Sequence, residues 1–125
     1  MTIQTVTTDK IPPSPNPFSL GVKANGFLFV SGQIGKEPTG RIAEGFPAQV
    51  RQAMENLKMI IEAAGSSMDW VVKITIYVTD ITRMPELNSI YREYFPNALP
   101  ARAAMEVSKL GLGAEVEIDA IVQMN

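Results

Sequence analysis

The chain contains 125 residues, of which 46% are apolar and 19% are charged, and its formal net charge is −2. This composition is typical of one globular domain spanning residues 1–125, and the acidic balance argues against a nucleic-acid-binding surface, which is usually basic. Histidine and cysteine are both absent from the sequence, which excludes imidazole acid–base catalysis, thiol nucleophiles and disulfide bonds.

Membrane association and export are not expected. The apolar runs are too short to cross a bilayer. The N-terminal segment MTIQTVTTDK lacks the charged and then apolar pattern of an export signal. We therefore expect a cytoplasmic location.

The first third of the chain predicts three strands and an extended arm. Residues 2–7 alternate apolar and polar side chains, which indicates a short strand. Residues 10–17 contain four prolines, so this segment cannot form a helix or a central strand and is predicted to be an extended arm. Residues 19–24 and 27–34 flank the Asn-Gly pair at 25–26, which predicts a tight hairpin.

The middle of the chain predicts a helix, a strand and a second helix. Residues 46–64 place apolar side chains at steps of three and four, and Gly65 follows in the usual C-terminal position. Residues 71–79 alternate as a strand does, and residues 84–95 form a second amphipathic helix with Pro85 in its first turn. The polar residues expected off the first helix's apolar stripe are Gln49, Gln52, Glu55 and Lys58. The strand residues expected to face the core are Val72, Ile74, Ile76 and Val78.

The last part of the chain predicts two strands, 101–107 and 115–123, joined by a glycine-containing loop at 110–114. A hairpin of these strands would bring Arg102 within a rung or two of Glu117. The order of elements predicts an α+β domain, in which a mixed sheet carries both helices on one face. The other face is expected to be polar, and we expect another subunit to cover it. Its predicted residues are Lys73, Thr75, Tyr77, Arg102, Glu115 and Glu117.

The pair of Arg102 and Glu117 has two readings from the residues alone. Together the two side chains would hold an anionic substrate and position a water molecule, or they would form a structural ion pair between strands. Ser31, Gly32 and Asn88 are likewise compatible with purely structural roles. A metal site at the alternating acidic residues of the last strand is not expected, because histidine is absent and Arg102 lies nearby.

Six segments, taken in order and at their spacings, resemble the Rid family, also called YjgF, of reactive-intermediate deaminases. No one of them is specific alone, but the ordered set spans nearly the whole chain. The segments are VSGQIG (30–35), EAAG (62–65), VVKITIYV (71–78), LNSIYREYF (87–95), PAR (100–102) and VEIDAIV (116–122).

The resemblance implies a chorismate-mutase-like fold and a homotrimer with its sites in the clefts between subunits. It implies hydrolysis of 2-imino acids and their enamine tautomers to 2-keto acids and ammonia, with no metal and no organic cofactor. In this scheme Arg102 holds the substrate carboxylate with help from the backbone N–H near Gly32, and Glu117 orients or activates the attacking water. Ser31 and Asn88 line the cleft, and Asn88 comes either from the same subunit or from its neighbour.

Three positions depart from the family's usual pattern. Phe18, in NPFS (16–19), replaces a tyrosine and so lacks its hydroxyl, although its ring can still pack on a substrate. Ala104 replaces a cysteine whose role in the family is attributed largely to its backbone carbonyl. Leu20 replaces a residue that is often polar. These changes leave Arg102 and Glu117 intact but bear on substrate preference and rate.

Two other functions compete with a general imine deaminase. One is a non-catalytic protein that binds a small carboxylate such as a 2-keto acid, which the changes at positions 18 and 104 favour. The other is a specialised deaminase acting on a catabolic enamine of the aminomuconate kind, which a larger cleft near Phe18 and Leu20 would favour. Ribonuclease activity is the least expected, given the acidic charge and the lack of histidine.

Overall fold

A computed structural model describes residues 2–124 of the chain. Within this range six strands form one sheet, and two α-helices pack on one of its faces. The strands are β1 (Gln4–Val6), β2 (Gly21–Ala24), β3 (Phe27–Ile34), β4 (Val71–Val78), β5 (Ala101–Glu106) and β6 (Val116–Gln123), and the helices are α1 (Phe46–Ala63) and α2 (Met84–Tyr94). The predicted α+β class with a mixed sheet is confirmed.

The order of strands across the sheet is β1-β2-β3-β6-β4-β5. All neighbours are antiparallel except β4 and β5, which are parallel because α2 carries the chain back between them. The predicted hairpin of the last two strands is therefore wrong, since β4 lies between β5 and β6. β6 buries alternate apolar residues as a central strand does, whereas β5 is largely exposed and suits the edge.

The core lies between the sheet and the helices. α1 has Pro47 in its first turn, and the left-handed Gly65 follows its end. Its apolar stripe, including Leu57 and Ile61, is fully buried against the sheet, where Ile76 and Ile118 are also fully buried. Burial of each such side chain contributes roughly 1.5–3 kcal/mol. No helix in the described range is long and apolar enough to span a membrane.

Two details of side-chain direction differ from the sequence prediction. A register shift between Val71 and Lys73 turns Val72 outward, so that it is exposed while Val71 is buried. Gln49 is predicted to lie off the apolar stripe, but the structure buries it. Its burial is tolerated because both ends of its amide are hydrogen-bonded. The amide oxygen accepts from the Glu115 backbone N–H (2.8 Å), and the amide nitrogen donates to the Glu115 carboxylate (3.2 Å).

The second sheet face, called here the open face, carries no helix. It presents the exposed side chains of Phe27 and Phe29 on β3 together with Tyr77, Glu117 and Asp119. Two residues predicted on this face lie elsewhere. Glu115 is directed to the helix layer, where it meets Gln49, and the Arg102 side chain reaches α2.

Candidate active site

Glu117 lies in a cavity of about 200 Å³, called here the Glu117 pocket. The N-terminal arm, the end of β3, β6 and the loop before β6 together form its walls. The arm is held in place by Ser31, whose hydroxyl donates to the Ser19 carbonyl (2.6 Å) and whose N–H donates to the Leu20 carbonyl (2.9 Å). The lining includes the predicted site residues Phe18, Gly32 and Glu117, whereas Ser31 supports the arm rather than lining the cavity.

Gly32 and Glu117 lie so close together that a side chain at position 32 would displace the Glu117 carboxylate. A Cβ atom on residue 32 would lie 2.8 Å from Glu117 Cδ and would overlap one of its carboxylate oxygens. β6 pairs with β3 at this level through Ile34 and Glu117, which fixes the carboxylate against the bend in β3 between Val30 and Gln33. The glycine at position 32 is therefore explained by the space that the Glu117 carboxylate occupies, and not only by the bend in β3.

The pKa of Glu117 is raised above its usual range, first by burial and second by the negative charge of Asp119. Asp119 is directed to the same open face and accepts a hydrogen bond from the Tyr77 hydroxyl (3.3 Å). A carboxylate with a raised pKa is a stronger base than an exposed glutamate, so Glu117 is suited to accept a proton from water.

Arg102 lies on the edge strand β5 in a second cavity of about 260 Å³, called here the Arg102 pocket. Its guanidinium donates to the Asn88 side-chain oxygen (2.8 Å) and lies 5.0 Å above the centre of the Tyr91 ring. Within residues 2–124 no carboxylate oxygen lies within 4.0 Å of it. Arg102 is exposed and oriented by α2, so its charge is available to a ligand anion.

Arg102 and Glu117 of one chain do not meet. Arg102 is level with Ile74 on β4, whereas Glu117 is level with Tyr77, three residues farther along that strand. The offset is roughly 10 Å along the strands, and the intervening β4 adds to it. The two side chains also lie on different sides of the sheet, so the cross-strand ion pair within one chain is not formed.

The remaining predicted site residue, Ala104, is exposed on β5 and lines neither pocket. The residues of the Glu117 pocket that were not predicted from the sequence include Lys36, Asn56 and Leu112. Leu112 has a left-handed backbone (φ 57°), which a leucine seldom adopts. The Gly-Leu-Gly sequence at 111–113 was the available signal for that turn. No group of three or more acidic residues in the described range is arranged to hold a metal ion.

A family model described as Endoribonuclease L-PSP matches residues 8–124. A RutC family protein from Aquifex aeolicus is 47% identical over 93% of this chain and 95% of its own length. The chain belongs to the Rid (YjgF) family. Another member of the family, a mouse protein named 2-iminobutanoate/2-iminopropanoate deaminase, is 37% identical over 93% of this chain and 87% of its own length.

Solved structures of the Rid family share the whole fold. RidA from an Antarctic Psychrobacter superposes with a TM-score of 0.93 at 40% identity, and the match covers 97% of this chain and 99% of that one. The chorismate-mutase-like fold predicted from the sequence resemblance is confirmed.

Proposed function

We propose that this protein hydrolyses 2-imino acids and their enamine tautomers to 2-keto acids and ammonia, without a metal or an organic cofactor. The observation that carries the proposal is the pair of complementary half-sites. Arg102 is an oriented cation without a carboxylate partner in the described chain, and Glu117 is a partly buried carboxylate with a raised pKa. The name of the mouse relative supports the same reaction.

The half-sites would be joined in a homotrimer, in which Arg102 of one subunit faces the Glu117 pocket of the next. The open face supports this assembly, because Phe27 and Phe29 expose 38% and 46% of their surfaces there. Exposed aromatic side chains grouped with polar residues are typical of a protein interface. Asn88 would enter the same cleft with Arg102, since the two are hydrogen-bonded.

In the proposed mechanism the Arg102 guanidinium binds the substrate carboxylate through two parallel hydrogen bonds, with help from the Gly32 backbone N–H. Glu117 takes a proton from a water molecule as the water oxygen bonds to the imine carbon, and it passes that proton to the imine nitrogen to give a carbinolamine. Glu117 then moves the proton of the carbinolamine hydroxyl to the nitrogen as the carbon–nitrogen bond breaks, which releases ammonia and the 2-keto acid and leaves Glu117 ionised. Imines are electrophilic already, so positioning a water supplies much of the rate.

The direct test generates 2-iminopropanoate from alanine with an amino-acid oxidase in the presence of semicarbazide. Active protein competes with semicarbazide for the imine and suppresses semicarbazone formation. Wild type is expected to suppress it and Arg102→Ala to lose that effect. Absence of suppression by wild type, including with imines from larger amino acids, would refute the deaminase proposal.

A subunit-mixing experiment tests the shared site. Arg102→Ala and Glu117→Gln are each expected to be inactive, and trimers reassembled from equal amounts are expected to recover about one quarter of the wild-type activity, because random assembly pairs both intact residues at that fraction of clefts. The control mixes Arg102→Ala with the double variant that carries both Arg102→Ala and Glu117→Gln. This mixture is expected to stay inactive, because no subunit in it has an intact Arg102. Failure of the first mixture to recover activity would refute a site shared by Arg102 and Glu117 of neighbouring subunits.

The second candidate is a protein that binds a small carboxylate without turnover. Phe18 favours it, because this ring lines the Glu117 pocket without a hydroxyl to contact a substrate. Calorimetric titration with 2-ketobutyrate separates the candidates, since binding without suppression of semicarbazone formation would favour this function. The cytoplasmic location stays a prediction of the sequence.

A further inference from the structure

Lys36 is one of the residues that line the Glu117 pocket. It follows β3, two residues after Ile34, and pairs in an isolated bridge with Ile42. The buried Asn56 side chain donates hydrogen bonds to the carbonyls of Ile34 (3.3 Å) and Lys36 (2.9 Å). The backbone that carries this lysine is therefore held to α1, and its position is set by the fold.

The surroundings of Lys36 leave its charge without a partner. It is half-buried, and within residues 2–124 no carboxylate oxygen lies within 4.0 Å of its ammonium group. Most of the pocket wall is apolar, which strengthens the attraction of a cation for an anion that enters. The apolar residues of the wall are Ile11, Pro12, Phe18, Leu20, Ile34 and Leu112.

Lys36 and Glu117 are separated by a length that suits a short substrate. Glu117 is level with Ile34 on β3, and Lys36 follows two residues later, roughly 7 Å along an extended chain. The raised pKa of Glu117 is caused by burial and Asp119, so Lys36 is not the group that neutralises this carboxylate. The Lys36 backbone thus lies beyond Glu117 in the direction in which β3 runs, and its side chain is long enough to meet the far end of a short substrate.

We propose that Lys36 forms a subsite for a second carboxylate, so that the substrate is a 2-imino dicarboxylate or the enamine of one. This inference rests on the proposed function, in which Arg102 of a neighbouring subunit holds the first carboxylate beside Gly32. Lys36 then binds the distal carboxylate of a four- to six-carbon chain and offsets its repulsion from Glu117 and Asp119. Lys36 is a specificity-determining residue, and the hydrolytic step is unchanged.

Binding of keto-acid products tests the subsite without requiring turnover. The probes are 2-ketoglutarate and 2-ketopentanoate, which have equal chain lengths and differ by the distal carboxylate. Wild type is expected to bind the diacid at least about tenfold more tightly, the usual worth of one charged hydrogen bond. Lys36→Met is expected to remove this preference and leave 2-ketopentanoate binding unchanged, and Lys36→Arg to retain it.

The matched control is Lys58→Met, which removes a half-buried lysine that lines a separate groove on the helix layer. It is expected to change neither affinity. Equal affinities of wild type for the two keto acids would overturn the proposal. So would equal weakening of both by Lys36→Met, which would assign Lys36 to subunit contacts; sedimentation of each variant reports the assembly directly.

Measured rates of imine hydrolysis then distinguish failure of the Lys36 subsite from failure of the proposed deaminase function. Wild type is expected to favour 2-iminoglutarate over 2-iminopentanoate in kcat/KM, and Lys36→Met to lose the preference. Hydrolysis of both imines with no preference would overturn the Lys36 subsite and retain the deaminase. Selective diacid binding through Lys36 without hydrolysis of either imine would retain the subsite and refute the deaminase.

Discussion

The two faces of the sheet differ in how far their side chains are buried. On the helix face the alternate residues of β4 and β6, such as Ile76 and Ile118, are fully buried, and the nearby buried amides of Gln49 and Asn56 are hydrogen-bonded. On the open face Phe29 is 46% exposed, and the pKa of Glu117 is raised by burial and by repulsion from the Asp119 carboxylate. The difference teaches that one face holds the fold together, while the other presents partly exposed aromatic and acidic side chains that the fold does not need for its core.

The largest expected effect is on the helix face. Leu57→Ala removes a fully buried side chain from the core and is expected to lower the free energy of unfolding by about 3 kcal/mol, because it leaves a cavity. Urea denaturation at a fixed protein concentration measures the loss. Lys58→Ala on the same helix is the control, and an equal loss there would mean that Leu57 packing is not the cause.

On the open face a single added methyl group is expected to reduce imine hydrolysis strongly while sparing the fold. Gly32→Ala pushes the Glu117 carboxylate from its position and is expected to lower kcat/KM for imine hydrolysis by about 10²-fold, the typical cost of a misplaced reacting group. Gly111→Ala is the matched control, because it lines the same pocket and its Cβ would meet open space. Full activity of Gly32→Ala would contradict the role of this close approach.

Phe29→Lys tests whether the open face is an interface. Loss of one buried aromatic side chain per subunit, worth roughly 1.5–3 kcal/mol, is expected to dissociate the proposed trimer into folded subunits. Light scattering gives the mass and circular dichroism the fold. Ile81→Lys, a similarly exposed apolar position beside α2, is the control; a trimer that survives Phe29→Lys would exclude this face as the interface.

The smallest expected effect is a change in pH dependence. Glu117 must be ionised to take a proton from water, so the rate falls as pH falls through its raised pKa. Asp119→Asn removes the second cause of that rise, which lowers the pKa of Glu117, and the acid limb of kcat/KM is expected to move to lower pH. Asp69→Asn, outside both pockets, should leave the limb in place, and an unmoved limb in Asp119→Asn would remove Glu117 as the titrating group.

The secondary structure was predictable because it depends on local patterns. The Asn-Gly turn at 25–26, the stripe of α1 and Pro85 at the start of α2 each express a short-range preference, and the structure has these elements within a few residues of the predicted bounds. Strand partners were less predictable. The last two strands are adjacent in sequence and looked like a hairpin, yet α2 makes β5 parallel to β4 and leaves β6 to enter the centre of the sheet.

The sequence by itself determined the elements, the α+β class, the exclusion of histidine and cysteine chemistry, and the family resemblance that singled out Arg102 and Glu117. Only the tertiary structure decided that these two residues lie on different sides of the sheet, that Gly32 lies against Glu117, and that Lys36 lines the same pocket. The physical reason is that residue type and periodicity record local preferences, whereas strand order and bulges come from packing the whole chain, and one bulge or one intervening strand redirects a side chain.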